Sequence, residues 1–191
     1  MTTRKREPSE SDYEPKTPAS SSRPILDIIV QSCTVELFHS RGVAIAPVSV
    51  TRKSAQPCRT SELVGVMAFS GQNGNGRATL SLEAGVYRLF TPAVVDDAGL
   101  HDLLRELTNQ LVGRIKNRLM QFQIVLRIGL PSAMSPDALG RQRPHSANAV
   151  GYLFRTLRGE IVVTMDGGID EEALSYSSAI QIPKEGEFIT F

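Results

Sequence analysis

The chain has 191 residues, the size of one ordinary domain, and 41% of them are hydrophobic, which is enough for a core. A net charge of +1 speaks against a bulk electrostatic partner such as nucleic acid or an anionic membrane surface. Cys33 and Cys58 match no metal spacing and no disulfide framework, no apolar run nears the ~20 residues of a membrane span, and the N-terminus does not read as a secretion signal; reduced thiols in the cytoplasm are expected.

Residues 1–23 are rich in Ser, Pro, Lys, Arg and Glu and can bury almost nothing, so they read as a disordered leader. Its Arg4-Lys5-Arg6 cluster reads as solvated charge. From Ile25 to Phe38 the apolar spacing predicts a helix that stops at Gly42. Val43–Val50 is a β-branched strand candidate interrupted by Pro47. Leu63–Phe69 and Arg77–Leu82 flank the glycine-rich run 71–76 and form a predicted hairpin. Ala84–Phe90 is a short helix candidate.

Pro92 and the pair Asp96-Asp97 then introduce a long helix over Asp97–Met120. Leu100, Leu103, Leu104, Leu107, Leu111, Ile115 and Leu119 recur at steps of three and four and give it one apolar face. Phe122, Ile124, Leu126 and Ile128 alternate as a strand ending at Gly129-Leu130-Pro131, and 132–147 reads as an exposed loop. Val150–Thr156 and Glu160–Met165 form a second hairpin. Beyond Gly167, Ala179–Ile182 and Phe188–Phe191 are strand pieces or tail. The expected fold class is α+β, a domain over 24–167 with an internal duplication of helix followed by strands, and a C-terminal extension over 168–191.

The long helix carries the candidate chemistry. Glu106 and Asn109 are three apart and neighbour each other on the helix surface, with Asp102 one turn earlier on the same face. A carboxylate beside a carboxamide on a rigid element can hold a cation and a water together. Taken alone, an exposed Glu and Asn on an amphipathic helix are an ordinary solvated face. His39, His101 and His145 are isolated, and no metal site is expected. The 71–76 glycines lack the Lys-Ser/Thr ending of a P-loop, and no Gly-x-Ser-x-Gly elbow occurs. Arg114, Lys116 and Arg118 suit the negative end of the helix dipole, and equally an acidic partner surface.

The wider pattern is Asp102-x3-Glu106-x2-Asn109, followed about twenty residues later by Pro131. It resembles the CheC/CheX/FliY family of bacterial chemotaxis phosphatases. Gly113 fits the family's small residue four positions after the Asn, where it would let the helix approach its neighbour closely. The first helix holds a degenerate echo, Ser32, Glu36 and His39, with His where Asn would be required. That half-lost repeat is closer to CheX than to CheC. The spacing from Asn109 to Pro131 departs slightly from the family's usual value.

The resemblance implies helices packed on an antiparallel sheet and a homodimer joined through sheet or hairpin contacts. It implies hydrolysis of the aspartyl phosphate of a CheY-like response-regulator receiver. Asn109 would position the attacking water and Glu106 would pair with the receiver's lysine. Asp102, Gly113 and Pro131 would be supporting positions. The chain would need no cofactor of its own, since the receiver supplies Mg2+. The alternatives are a docking or dimerisation module of the same fold without turnover, and an unrelated fold in which the pattern is coincidence. An ion pair that buried Glu106 against Arg105 or Arg127 would count against catalysis.

Overall fold

The computed structural model of the chain describes residues 24–52, 61, 63–90, 96–142, 148–170 and 174. The leader 1–23 and the C-terminal pieces 179–182 and 188–191 lie outside the described residues.

Helix α1 (Ile25–Ser40) ends as its sequence requires. Gly42 takes a φ of 75°, its N–H donates to the His39 carbonyl at 2.9 Å, and the Val43 N–H reaches back to Phe38 at 2.9 Å. Strand β1 (Ala46–Arg52) follows, with its register slipping between Pro47 and Ser49. A proline is tolerated there because β1 is an edge strand. Strands β2 (Val64–Gly71) and β3 (Gly74–Leu82) form the expected hairpin. Its turn is only Gln72-Asn73, so the later glycines belong to β3. Helix α2 (Ala84–Phe90) leads toward α3 (Asp97–Met120), whose N-terminus is capped by Asp96 accepting from the Gly99 N–H at 2.9 Å.

Two expectations are corrected after α3. The predicted strand from Phe122 shrinks to β4 (Arg127–Ile128). Gln121–Gln123 instead close the helix, with Gln123 at φ 61° and the Ile124 N–H donating to the Leu119 carbonyl at 3.1 Å. The alternation survives, with Ile124 and Leu126 buried and Val125 exposed, because extended chain alternates whether or not it joins a ladder. The expected loop after Pro131 contains structure: β5 (Ser132–Met134) pairs with β2, and α4 spans Pro136–Gln142. Finally β6 (Val150–Thr156) and β7 (Gly159–Ile169) make the second hairpin, with β7 continuing past the predicted Met165.

The strands form a seven-stranded antiparallel sheet in the order β1-β6-β7-β3-β2-β4, with β5 also on β2. The order is the signature of the duplication. The first half's opening strand, β1, borders the second half's hairpin, and the second half's opening strands, β4 and β5, border the first half's hairpin. A pseudo-twofold axis therefore passes between β3 and β7 and relates α1 to α3.

One core joins Leu37 and Phe38 of α1, Val86 of α2, and Leu104, Leu111 and Ile115 of α3 to Met67, Leu80, Phe154 and Val163 of the sheet. Burial of this apolar surface is the main driving force of the fold. Helices α1 and α3 lie side by side and antiparallel, with Glu36 beside Arg118 and Ser40 beside Arg114.

Candidate functional site

Helix α3 is locked in rotation by what it buries: Leu104, Leu107, Thr108, Leu111, Val112, Ile115 and Leu119. Beneath it Gly65 of β2 leaves room for close contact. A Cβ at Gly65 would collide with the Thr108 hydroxyl and would stand 3.1 Å from Leu104. The Thr108 hydroxyl itself donates to the Leu104 carbonyl at 2.7 Å, so it is satisfied while buried. Sequence reasoning passed over Gly65, although a glycine inside a strand is a known sign of close backbone approach.

With that face buried, Asp102, Glu106 and Asn109 are exposed on the opposite ridge. Glu106 accepts a hydrogen bond from the Gln110 carboxamide one turn on. It has no ion pair with Arg105 or Arg127: Arg105 pairs instead with Asp102, at 3.1 Å. Asn109 makes no hydrogen bond through its side chain among the described residues. The ridge thus presents a carboxylate and a carboxamide side by side, neither tied to a charged neighbour among the described residues.

Pro131 is half-buried at the start of β5, which lies against α3. Ala133 pairs with Gly65, the residue under Thr108, so the segment opened by Pro131 flanks the helix next to the motif. Gly113 does not serve the close approach expected of it. Among the described residues a Cβ there would meet nothing within 4 Å, and the glycine packed closely against this helix is Gly65.

The first-half echo is arranged differently. Ser32 is half-buried and its hydroxyl turns back to the Ile29 carbonyl at 3.1 Å. Glu36 is held across the helix pair by Arg118 at 2.8 Å, with Ser40 accepting from Arg114 at 3.3 Å one turn further. His39 is exposed in the last turn of α1. Arg114 and Arg118 are therefore directed at α1, a use beyond the dipole pairing expected of them. Cys33, buried beneath Glu36, has its thiol pushed up to about 12, first by burial and then by the Glu36 charge. It is an inert core thiol.

A cleft of about 360 Å3 lies elsewhere, between α1 and the edge strand, lined by Asp27, Gln31 and Pro47–Val50. Asp27 is buried there but fully engaged, accepting from Tyr152 at 2.9 Å and pairing with Arg52 at 2.6 Å. This cluster fastens β1 and β6 to α1. It is remote in sequence and element from the α3 ridge. No group of three metal-ligating side chains occurs among the described residues. No described helix is long and apolar enough to cross a membrane.

The chain has no match among protein-family models or among curated protein sequences. The fold does have relatives among solved structures. The chemotaxis protein CheX from Vibrio vulnificus superimposes with a TM-score of 0.62 over 75% of this chain and 99% of its own, at 12% identity. CheX in the CheX-CheY-BeF3-Mg2+ complex from Borrelia burgdorferi gives 0.62 over 76% and 99%, at 14% identity. Thermotoga maritima FliY gives 0.52 over 78% and 90%, at 15% identity. The architecture is that of the CheC/CheX-like chemotaxis proteins. Its solved relatives include proteins named CheX, CheC-like and FliY, in agreement with the resemblance carried by the α3 pattern.

Proposed function

We propose that the chain is a CheX-like phosphatase that hydrolyses the aspartyl phosphate of a CheY-type receiver domain. The observation that carries this reading is the exposed pair Glu106 and Asn109, adjacent on the rigid interior of α3 and free of charged partners among the described residues. The naming of a CheX–CheY complex among the fold's relatives supports the choice of partner.

The chemistry asks little covalent work of the protein. A water attacks phosphorus in line, the bond from phosphorus to the aspartyl oxygen breaks, and phosphate leaves the regenerated carboxylate. Positioning and charge stabilisation supply most of the acceleration. The Asn109 carboxamide both donates and accepts, so it can fix one water behind the phosphorus. Glu106 pairs with the receiver's active-site lysine and sets the docking angle. Its present hydrogen bond to Gln110 is exposed and intrahelical, worth about 0.2–0.5 kcal/mol, so exchanging it for a charged partner is favourable. The receiver brings its own Mg2+, and no resident cofactor is required of this chain.

Exposed Ile28 and Val48 lie on α1 and on the edge strand β1, whose outer backbone groups are unpaired by any other described strand. They support a homodimer formed through that edge, which sedimentation equilibrium would register as twice the chain mass; a monomer at all concentrations would refute it. The work is assigned to the cytoplasm, where receivers reside.

The test is decay of a panel of radiolabelled phospho-receivers with the wild-type chain and with the Glu106→Ala/Asn109→Ala double variant. Acceleration by the wild type that the variant loses supports the phosphatase. Binding to the phosphorylated receiver without acceleration turns the assignment to the docking module.

A further inference from the structure

Gly113 is an oddity of α3. Glycine is among the poorest helix formers, and this one lies about two turns inside a helix that continues to Met120. The fold supplies none of the usual reasons for it. The positive-φ glycines among the described residues are Gly42, Gly159 and Gly167. Among the described residues, a side chain at Gly113 would meet nothing within 4 Å, in contrast to Gly65, Gly76 or Gly85, where a Cβ would strike a neighbour. The helix runs unbroken from Asp97 to Met120, so Gly113 marks no break. Gly140 also faces open space, but it lies near the end of a seven-residue helix, where glycine is ordinary.

What distinguishes Gly113 is its address. It follows Asn109 by four residues and Glu106 by seven, so the three share one ridge of the helix. A glycine that the described part of its own chain does not need, on the ridge that carries the candidate catalytic pair, is explained by something approaching from outside.

We propose that Gly113 is a clearance position for the docked receiver: its bare backbone admits the partner's surface against α3 so that Asn109 can reach the acyl phosphate. This rests on the phosphatase reading above and adds a positioning residue to it. Gly113 touches neither phosphate nor water. A side chain there would lift the receiver off the ridge and withdraw Asn109 from its target.

The experiment uses the full chain with Gly113→Ala and Gly113→Gln, and Asn109→Ala as the reference. Three quantities are read: thermal unfolding, binding to a receiver loaded with beryllofluoride and Mg2+, and KM and kcat for the phospho-receiver. Gly113→Ala removes a poor helix former from an open site, so Tm rises by about 2–4 °C. Despite that gain, both variants bind the receiver more weakly and raise KM more than they lower kcat. The Gln variant loses about tenfold in affinity, the scale expected when extra atoms are forced into a packed interface. Asn109→Ala shows the opposite split, with kcat lost and binding kept.

A fall in Tm for Gly113→Ala would mean that the glycine serves the fold, and would overturn the proposal. So would a Gly113→Gln chain that keeps wild-type KM and affinity while Asn109→Ala is inactive; the phosphatase reading would then stand without it. A wild-type chain that neither binds nor accelerates any receiver would remove both, and that outcome is read before any variant is compared.

Discussion

Helices α1 and α3 are related by the pseudo-twofold axis of the sheet and carry versions of one pattern, yet only one of them presents it. Ser32, Glu36 and His39 stand where Asp102, Glu106 and Asn109 stand in the other half. On α3 the motif lies in the helix interior, with the chain running on to Met120. On α1 the helix ends at Ser40, one residue after His39. A side chain in a last turn is held less firmly than one in the middle of a helix, because terminal turns lack half of their backbone partners. Glu36 is spent on Arg118, whereas Glu106 engages only a neutral carboxamide. The sheet thus carries two similar frames, and cross-helix pairing makes one of them a seam between the helices. The same residue type is left open or committed to an ion pair according to what the neighbouring helix places opposite it.

The sharpest way to break this comparison is to remove the third residue of each pattern in turn. Asn109→Ala should lower kcat about 100-fold, the scale of losing a positioned reactant. His39→Ala should leave kcat unchanged, since the exposed His39 reaches no water-positioning geometry beside a committed Glu36. Equal losses in the two variants, measured as phospho-receiver decay at saturation, would mean that both halves act.

The two helices also sit differently on the sheet, which offers a second, smaller test. Helix α3 rests on β2 by close contact at Gly65, while α1 is pinned to β6 by the buried Asp27 accepting from Tyr152. Gly65→Val forces atoms into a filled space and should cost about 1–3 kcal/mol. It should also shift Thr108 and its neighbour Asn109, and so lower activity. Tyr152→Phe leaves one oxygen of a buried carboxylate without its donor and should cost a similar 1–3 kcal/mol. Activity of the folded fraction should persist, because that pin serves the other half. Thermal unfolding read beside single-turnover rates separates the two. A Tyr152→Phe chain as inactive as Gly65→Val would show that α1 and α3 do not hold their positions independently.

Most of the architecture was legible as periodicity and stop signals. The apolar run over Asp97–Met120, the Asp96 cap and the Gly42 stop are local features, and local physics placed them. The failures share a cause. The segment after Met120 alternates like a strand, yet its first residues are used to close the helix, and alternation cannot tell a paired strand from extended chain. Ser132–Met134 looks like loop because three residues carry no period, and it becomes β5 only because β2 has a free edge there.

The site divides in the same way. The spacing of Glu106 and Asn109 fixes their adjacency on any helix, so that part was readable. Which of two similar patterns stays open depends on Arg118 reaching Glu36, a contact between residues 82 positions apart. The internal packing expected of Gly113 is performed by Gly65 instead, because sequence marks a glycine without saying which side of the helix is crowded.

The finest test asks whether the closed half can be reopened. His39→Asn restores the missing carboxamide, but alone it should change nothing measurable, because Glu36 remains bound to Arg118. Both partners of that pair are more than 40% exposed, so releasing it should cost well under the ~1 kcal/mol upper range of surface ion pairs, and the fold should tolerate the loss. Combining His39→Asn with Arg118→Ala frees the carboxylate beside the new carboxamide. At most this doubles the number of working sites, so the ceiling is about a twofold rise in turnover per chain, a smaller effect than the loss expected of Asn109→Ala and opposite in sign. The gain should appear only in the double variant and should survive Asn109→Ala as residual activity. If the double variant with Asn109→Ala stays inactive, the exposed end of α1 at Ser40 is too short or too mobile to hold the pair, and the difference between the halves lies in helix length as well as in the Glu36–Arg118 bridge.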